Sequence, residues 1–273
     1  MTEKPNTTQA AAGDAPAASD QYVQSLARGL AVIRSFDAEH PQMTLSEVAA
    51  RTDLTRATAR RFLHTLVELG YVRTDGKAFA LTAKVLQLGY AYLSGLSLPQ
   101  IAQPHLEELS LRLGESTSAA VLEGQDISYV ARVATRRIMT VGITVGTRFP
   151  AYATSMGRVL LAALPPAELE RLLDGAELRP LTPHTIATRA GLLAELAAVR
   201  AQGWCLLDQE LELGLMSVAA PIHDGPKVVA AINVSLQAQA VAARPDPEAY
   251  LESVRQAAVA TAELISADLS AKG

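Results

Sequence analysis

Residues 54–72, LTRATARRFLHTLVELGYV, constrain the fold more than any other stretch of this chain. Ala59, Phe62, Leu63, Leu66 and Leu69 recur at the i, i+3, i+4, i+7 spacing of a helix that buries one stripe. Gly70 stops that helix. YVRTDGKAFALT follows as two β-like runs around Asp75-Gly76, the strongest short-range hairpin signal. Upstream, SLARGLAVIRSF carries Leu26, Leu30 and Ile33 at helical spacing, with Val32 and Phe36 flanking them, and closes in a polar turn with Pro41. Thr44 or Ser46 then caps SEVAARTD, a short helix burying Val48 and Ala49. The order is helix, short helix, tight turn, helix, hairpin, which predicts a winged helix-turn-helix domain over residues 21–83.

The third helix concentrates positive charge in its first half. Arg56, Arg60 and His64 sit four apart on a face other than the apolar stripe, with Thr58, Arg61 and Thr65 beside them and Thr55 at the start. Guanidinium groups pair bidentately with guanine edges, and threonine contacts phosphate or a thymine methyl, so this face suits insertion into a major groove. Arg73 and Lys77 flank the hairpin turn, where a wing would meet the phosphate backbone or the minor groove. The DNA-contacting candidates are therefore Thr55, Arg56, Thr58, Arg60, Arg61, His64, Arg73 and Lys77. Three arginines alone would read as a solvated helix face; the ordered combination of elements carries the inference.

The net charge of −4 excludes a uniformly basic nucleic-acid binder, but its distribution is uneven. Residues 20–95 hold nine basic side chains against seven acidic ones, so the negative balance lies farther along the chain. The single cysteine, Cys205, excludes an internal disulfide framework and a cysteine-based zinc site. No run reaches the ~18 apolar residues of a membrane span, and the N-terminus lacks a basic region followed by an apolar one, so a cytoplasmic protein is expected. Residues 1–20, rich in Ala, Thr and Pro without a periodic apolar face, are expected to form a disordered tail.

A helix is expected from Lys84, interrupted at Gly95 and Pro99, with a second helix ending near Gly114. Val85, Leu88, Tyr92 and Leu96 give residues 84–98 a stripe too apolar for a free linker, which predicts pairing with a second subunit and hence a homodimer. From Thr117 the period falls to two. TSAAVLEGQDISYVARVA reads as strand, turn, strand, and a third strand is expected at Met139 to Ile143. A loop then leads to a helix capped by Thr154 or Ser155, a second helix after Pro165-Pro166, another from Thr188 to Gln202, strand-like runs near 203–208, 215–222 and 228–236, and a closing helix from Pro247 to Leu269. Antiparallel strands with segregated helices make residues 99–273 an α+β domain.

In SLARGLAVIRSF, LTRATARRFLHTLVELGYV, VGTRFPAYATSMGRVLLAALP and DQELELGLMSVAAPI with VVAAINVS, the chain resembles the IclR family of bacterial transcription regulators from Gln24 onward. RRIMTVGITVGTRFPAYATSMGRVLLA is most similar to the branch that governs protocatechuate and 4-hydroxybenzoate breakdown. The resemblance implies a winged helix-turn-helix domain, a GAF-like effector domain, dimers or dimers of dimers, and an effector site lined by the TSMGR segment.

The residues point to the same place. A helix beginning at TSMGR would aim the amides of Ser155, Met156 and Gly157, with the Ser155 hydroxyl, at a carboxylate. Polar residues interrupt apolar runs at Asp208, Glu210, Ser217, Asn233 and Ser235, and Tyr152 stands just before the helix. A few polar groups converging among Ala, Leu, Met and Tyr describe a small-molecule pocket. Ser155 serves equally as a helix cap, and Asn233 and Ser235 as partners for strand-end backbone. Of Arg136 and Arg137, at most one faces such a pocket, because consecutive strand residues point opposite ways.

The predicted activity is ligand-responsive binding to double-stranded operator DNA, with a small carboxylate, an aromatic acid such as 4-hydroxybenzoate or protocatechuate, as effector. No cofactor or metal is expected: the five histidines are scattered and no ligand spacing occurs. The alternatives are an enzyme acting on a small carboxylate with an accessory helix-turn-helix segment, and a module whose winged domain docks a protein. Against the enzyme, Cys205 lies in an apolar run without an activating histidine, and neither a Gly-x-Ser-x-Gly elbow nor a phosphate-cradling glycine loop is present.

Overall fold

The computed structural model describes residues 22–88, 97–135 and 143–271. The tail, most of the helix expected at 84–98, most of the strand expected at 139–143, and Arg136 and Arg137 fall outside them. Two compact units meet between Ala91 and Tyr92 in sequence.

The first unit runs α1 (Gln24–Arg34), β1 (Gln42–Thr44), α2 (Leu45–Arg51), α3 (Arg56–Glu68), β2 (Val72–Thr74) and β3 (Ala78–Leu81). Thr44 ends β1 and caps α2: its hydroxyl accepts from the Glu47 amide, while the Glu47 carboxylate accepts from the Thr44 amide at 2.7 Å. Thr55 caps α3 through the Thr58 amide. Val32, Met43, Val48, Leu63 and Val72 build the core. Two features differ from expectation. β1 joins the wing sheet in the order β1-β3-β2, and Leu26 and Leu30 are 63% and 47% exposed, because α1 turns Val32 to the core instead, followed by Phe36 just past its end.

The second unit begins with α4 (Ser97–Leu113), one helix with no break at Pro99, whose missing N–H falls in the first turn. It continues as β4 (Ser116–Glu123), β5 (Asp126–Val133), β6 (Arg148–Pro150), α5 (Ser155–Ala163), α6 (Pro166–Leu173), α7 (Arg189–Gln202), β7 (Cys205–Asp208), β8 (Leu215–Asp224), β9 (Lys227–Gln237), α8 (Ala238–Ala242) and α9 (Pro247–Ser270). The strands form one antiparallel sheet in the order β6-β5-β4-β9-β8-β7. Leu106, Val218, Ile232 and Ile265 fill the layer between the sheet and α4 with α9. Met156, Leu160, Leu196 and Cys205 fill the opposite layer, beneath α5 and α7. The domain is α+β, as expected.

Candidate DNA-reading face and effector cavity

On α3 the apolar stripe sinks Ala59, Leu63 and Leu66 into the core, though Leu69, expected in the same stripe, caps the helix end and is exposed; Arg56, Arg60, Arg61 and His64 turn to the outside. Arg73 and Lys77 are exposed on the wing. None of the five cationic side chains Arg56, Arg60, Arg61, Arg73 and Lys77 forms an ion pair among the described residues, whereas Arg51 on α2 is held by Asp37 at 2.6 Å. Unpaired guanidinium groups on one helix are available to a polyanion. The Thr55 and Thr58 hydroxyls lie 2.9 Å apart, so both also serve the start of α3. Gly76 takes φ +92°, and the Asp75 carboxylate accepts from the Lys77 and Ala78 amides at 2.9 and 2.8 Å. Those amides hold its pKa below the usual carboxylate value and fix the turn between the two wing cations.

In the second unit, Thr154 caps α5 through the Gly157 amide, which leaves Ser155 in the first turn with its hydroxyl free to point across the layer. It meets the Ser217 hydroxyl on β8 at 2.7 Å, and Asn233 Nδ2 donates to the same Ser217 oxygen at 2.8 Å and reaches Ser235 Oγ at 3.3 Å. A cavity of about 20 Å³ opens there, walled by Ser155, Met156, Ser217, Asn233 and Ser235 on its polar side and by Tyr129, Ile143 and Leu207 on its apolar side. That is room for about one water molecule, so an aromatic ligand requires the walls to part. Burial pushes the Tyr129 phenol up to about 12, so it remains a neutral hydroxyl in this wall.

Five of the nine sequence-chosen effector residues thus converge, and four stand elsewhere. The Tyr152 hydroxyl donates to the Arg179 carbonyl at 2.8 Å and lines a separate surface pocket with Leu173. Gly157 packs against Ala151 behind the first turn; a Cβ there would lie 2.2 Å from the Ala151 carbonyl oxygen. Asp208 is exposed because Leu207, one position earlier on β7, takes the inward place. Glu210 is buried in a bidentate pair with Arg158, 2.7 and 2.5 Å, so its charge is already matched.

Sequence reasoning passed over Arg132. It lies on β5 opposite Ser118, which lies opposite Asn233, so the three form one row across the sheet face that carries the cavity. Its signal was a single cation inside the apolar run ISYVARV. Cys205, fully buried beneath α5, has its thiol pushed up to about 12 by burial, which removes nucleophilic character. No metal-holding cluster occurs among the described residues, and no described helix is long and apolar enough to cross a membrane.

Comparison with known proteins fits this geometry. The IclR helix-turn-helix domain matches residues 25–76, and the bacterial transcriptional regulator IclR C-terminal domain matches residues 90–263. The Pca regulon regulatory protein of Pseudomonas putida is 49% identical over 216 residues, covering 78% of this chain and 74% of that protein. A crystal structure from Rhodococcus sp. RHA1, of a candidate transcriptional regulator, superposes with a TM-score of 0.82 at 56% identity and covers 92% of this chain and all 100% of its own. An IclR homologue of Microbacterium hydrocarbonoxydans crystallised with 4-hydroxybenzoate superposes with a TM-score of 0.77 at 27% identity, covering 90% of this chain and 99% of its own.

Proposed function

The chain belongs to the IclR family of bacterial transcriptional regulators, and from that premise we propose that its α3 face and wing hold operator DNA while the cavity under α5 takes an aromatic carboxylate. It is a ligand-responsive DNA-binding regulator of catabolic genes; its relatives carry the names of regulators, which favours this over an enzyme. The effector in our reading is 4-hydroxybenzoate, protocatechuate or a related pathway carboxylate. A relative named for the Pca regulon and a homologue crystallised with 4-hydroxybenzoate support that choice. The protein acts in the cytoplasm as a homodimer or a dimer of dimers, with residues 84–98 connecting the DNA-binding domain (21–83) to the effector domain (99–273). The two sites act on one equilibrium, so a ligand that favours one arrangement changes operator affinity by its differential affinity for the two states.

The observation that carries the site assignment is the Ser155–Ser217–Asn233 network. Three polar side chains from a helix start and two adjacent strands bond to one another, with Ser235 beside them, around a cavity whose remaining walls are mainly apolar. In this reading Ser155, Met156, Ser217, Asn233 and Ser235 contact the effector, and Thr55, Arg56, Thr58, Arg60, Arg61, His64, Arg73 and Lys77 contact DNA. Fluorescence anisotropy on DNA from the upstream intergenic region, over a salt series with and without the two acids, tests both halves. Specific binding that shifts with either acid is expected; absence of specific binding at every salt concentration would reject the assignment of the α3 face.

A further inference from the structure

Two buried polar atoms on the cavity face have no hydrogen-bond partner among the described residues: Asn233 Oδ1 and Arg132 Nε. Asn233 is 4% exposed and its amide nitrogen is fully engaged with Ser217 and Ser235, which leaves its carbonyl oxygen unsatisfied. Arg132 is half-buried, donates to the Ser118 hydroxyl at 3.1 Å, and has no carboxylate partner among the described residues. Buried polar groups are nearly always satisfied, so a pair of orphans of opposite hydrogen-bonding sense in one row is a demand for a missing molecule. Asn233 Oδ1 requires a donor and Arg132 an acceptor, ideally an anion.

Their spacing limits what that molecule is. Arg132, Ser118 and Asn233 occupy directly opposed positions on β5, β4 and β9. With the guanidinium held over Ser118, its anion and the group on Asn233 stand about one to one and a half strand spacings apart, roughly 5–7 Å. Arg132 does not line the present small cavity; it stands at its edge, bonded to Ser118 one strand away from the lining residue Asn233 and three positions after the lining residue Tyr129, so the space reaches it once the walls part.

We infer that Arg132 sets effector specificity: it takes the carboxylate of a hydroxyaryl acid whose hydroxyl, one ring width away, donates to Asn233 Oδ1. This rests on the proposed effector site and goes beyond it by fixing the ligand's orientation. The acid lies toward β5, not at the start of α5, and the first turn of α5 closes over the ring instead.

Isothermal titration of the full chain with 4-hydroxybenzoate and with its neutral analogue 4-hydroxybenzamide tests the assignment. The intact protein is expected to favour the acid by about tenfold or more, the scale of one charge-assisted contact. Arg132→Gln should erase that preference while weakening 4-hydroxybenzamide by no more than about tenfold, the scale of one neutral hydrogen bond, and Arg132→Lys should retain part of it. Retained amide binding shows that the variant is folded. If Arg132→Gln still prefers the acid as strongly as the intact chain, the carboxylate sits elsewhere, at the start of α5, and the inference is overturned. Should the intact chain bind neither compound, the aromatic-acid reading of the cavity fails and this orientation falls with it; should Arg132→Gln lose both compounds, an acid preference retained at least in part by Arg132→Lys supports the inference and an abolished one contradicts it.

Discussion

Arg158 in α5 and Glu210 after β7 stand 52 positions apart and close a bidentate ion pair of 2.7 and 2.5 Å with both side chains buried. The Glu210 carboxylate also accepts from the Ile186 amide at 2.8 Å, so one pair ties the helix over the cavity to two loops. Removing one partner strands the other charge in the interior. Glu210→Ala is expected to cost about 3–5 kcal/mol in denaturant unfolding, toward the lower end because Glu195 lies 3.7 Å from Arg158. The double replacement Arg158→Met with Glu210→Leu should recover most of that loss. A single variant as stable as the parent would show that the pair does not hold the helix.

Gly157 makes the start of α5 fragile. A Cβ there would meet the Ala151 carbonyl oxygen at 2.2 Å, the Ala151 Cα at 2.4 Å and Thr154 Oγ1 at 2.5 Å, two of them backbone atoms that cannot rotate away. Gly157→Ala must displace the turn at Ala151–Ala153, so a loss of about 2–4 kcal/mol and a weakened response to 4-hydroxybenzoate are expected. Thermal unfolding with and without the acid reads both.

Cys205 offers a check on the packing beneath α5. Burial raises its thiol pKa to about 12, so the neutral thiol dominates at every pH where the fold is studied, and the thiolate fraction grows only as pH approaches that value. Iodoacetamide at pH 8 should leave the native chain unmodified over hours and label it fully in denaturant, as read by intact mass. Rapid labelling of the native chain would mean the layer opens.

The α3 arginines predict a salt signature. Each phosphate neutralised contributes about −0.9 to the slope of log affinity against log salt. Arg60→Ala should weaken operator binding by about 1–3 kcal/mol if the side chain reads a base, and Lys77→Ala should reduce the slope by about one with little change in sequence preference. Arg51→Ala, whose guanidinium is already held by Asp37, should leave the slope unchanged.

The elements built on local chemistry were legible in the sequence: the Thr55 cap, the α3 stripe, the Asp75-Gly76 turn and the strands flanking Gly124 each carry their own signal. Those that depend on partners were not. β1 and β6 are three residues each, too short for a period of two to show, and exist because β3 and β5 offer them an edge. Within the cavity, the serines and asparagine stood out as polar breaks in apolar strands, but Ser155 meets Ser217 across 62 positions, a pairing that only topology creates. Asp208 and Glu210 both stood out as acidic breaks after an apolar strand; strand alternation exposes the first, and the left-handed turn at Gln209, φ +60°, carries the second to Arg158. Arg132 was hidden by its bulge, since the irregular register between Ala119 and Ala120 breaks the alternation that would have assigned its face.

In the proposed function, occupancy of the cavity under α5 controls the grip of α3 on DNA. Operator affinity at one fixed salt concentration, measured with and without saturating 4-hydroxybenzoate, tests this for the intact chain and for Ser217→Leu, a substitution in the second unit that fills the cavity. The acid is expected to shift the affinity of the intact chain about 5- to 150-fold, the usual range of coupling between sites, and to leave that of Ser217→Leu unmoved. An equal shift in both proteins, with 4-hydroxybenzoate bound by both, would place the effector elsewhere and contradict it.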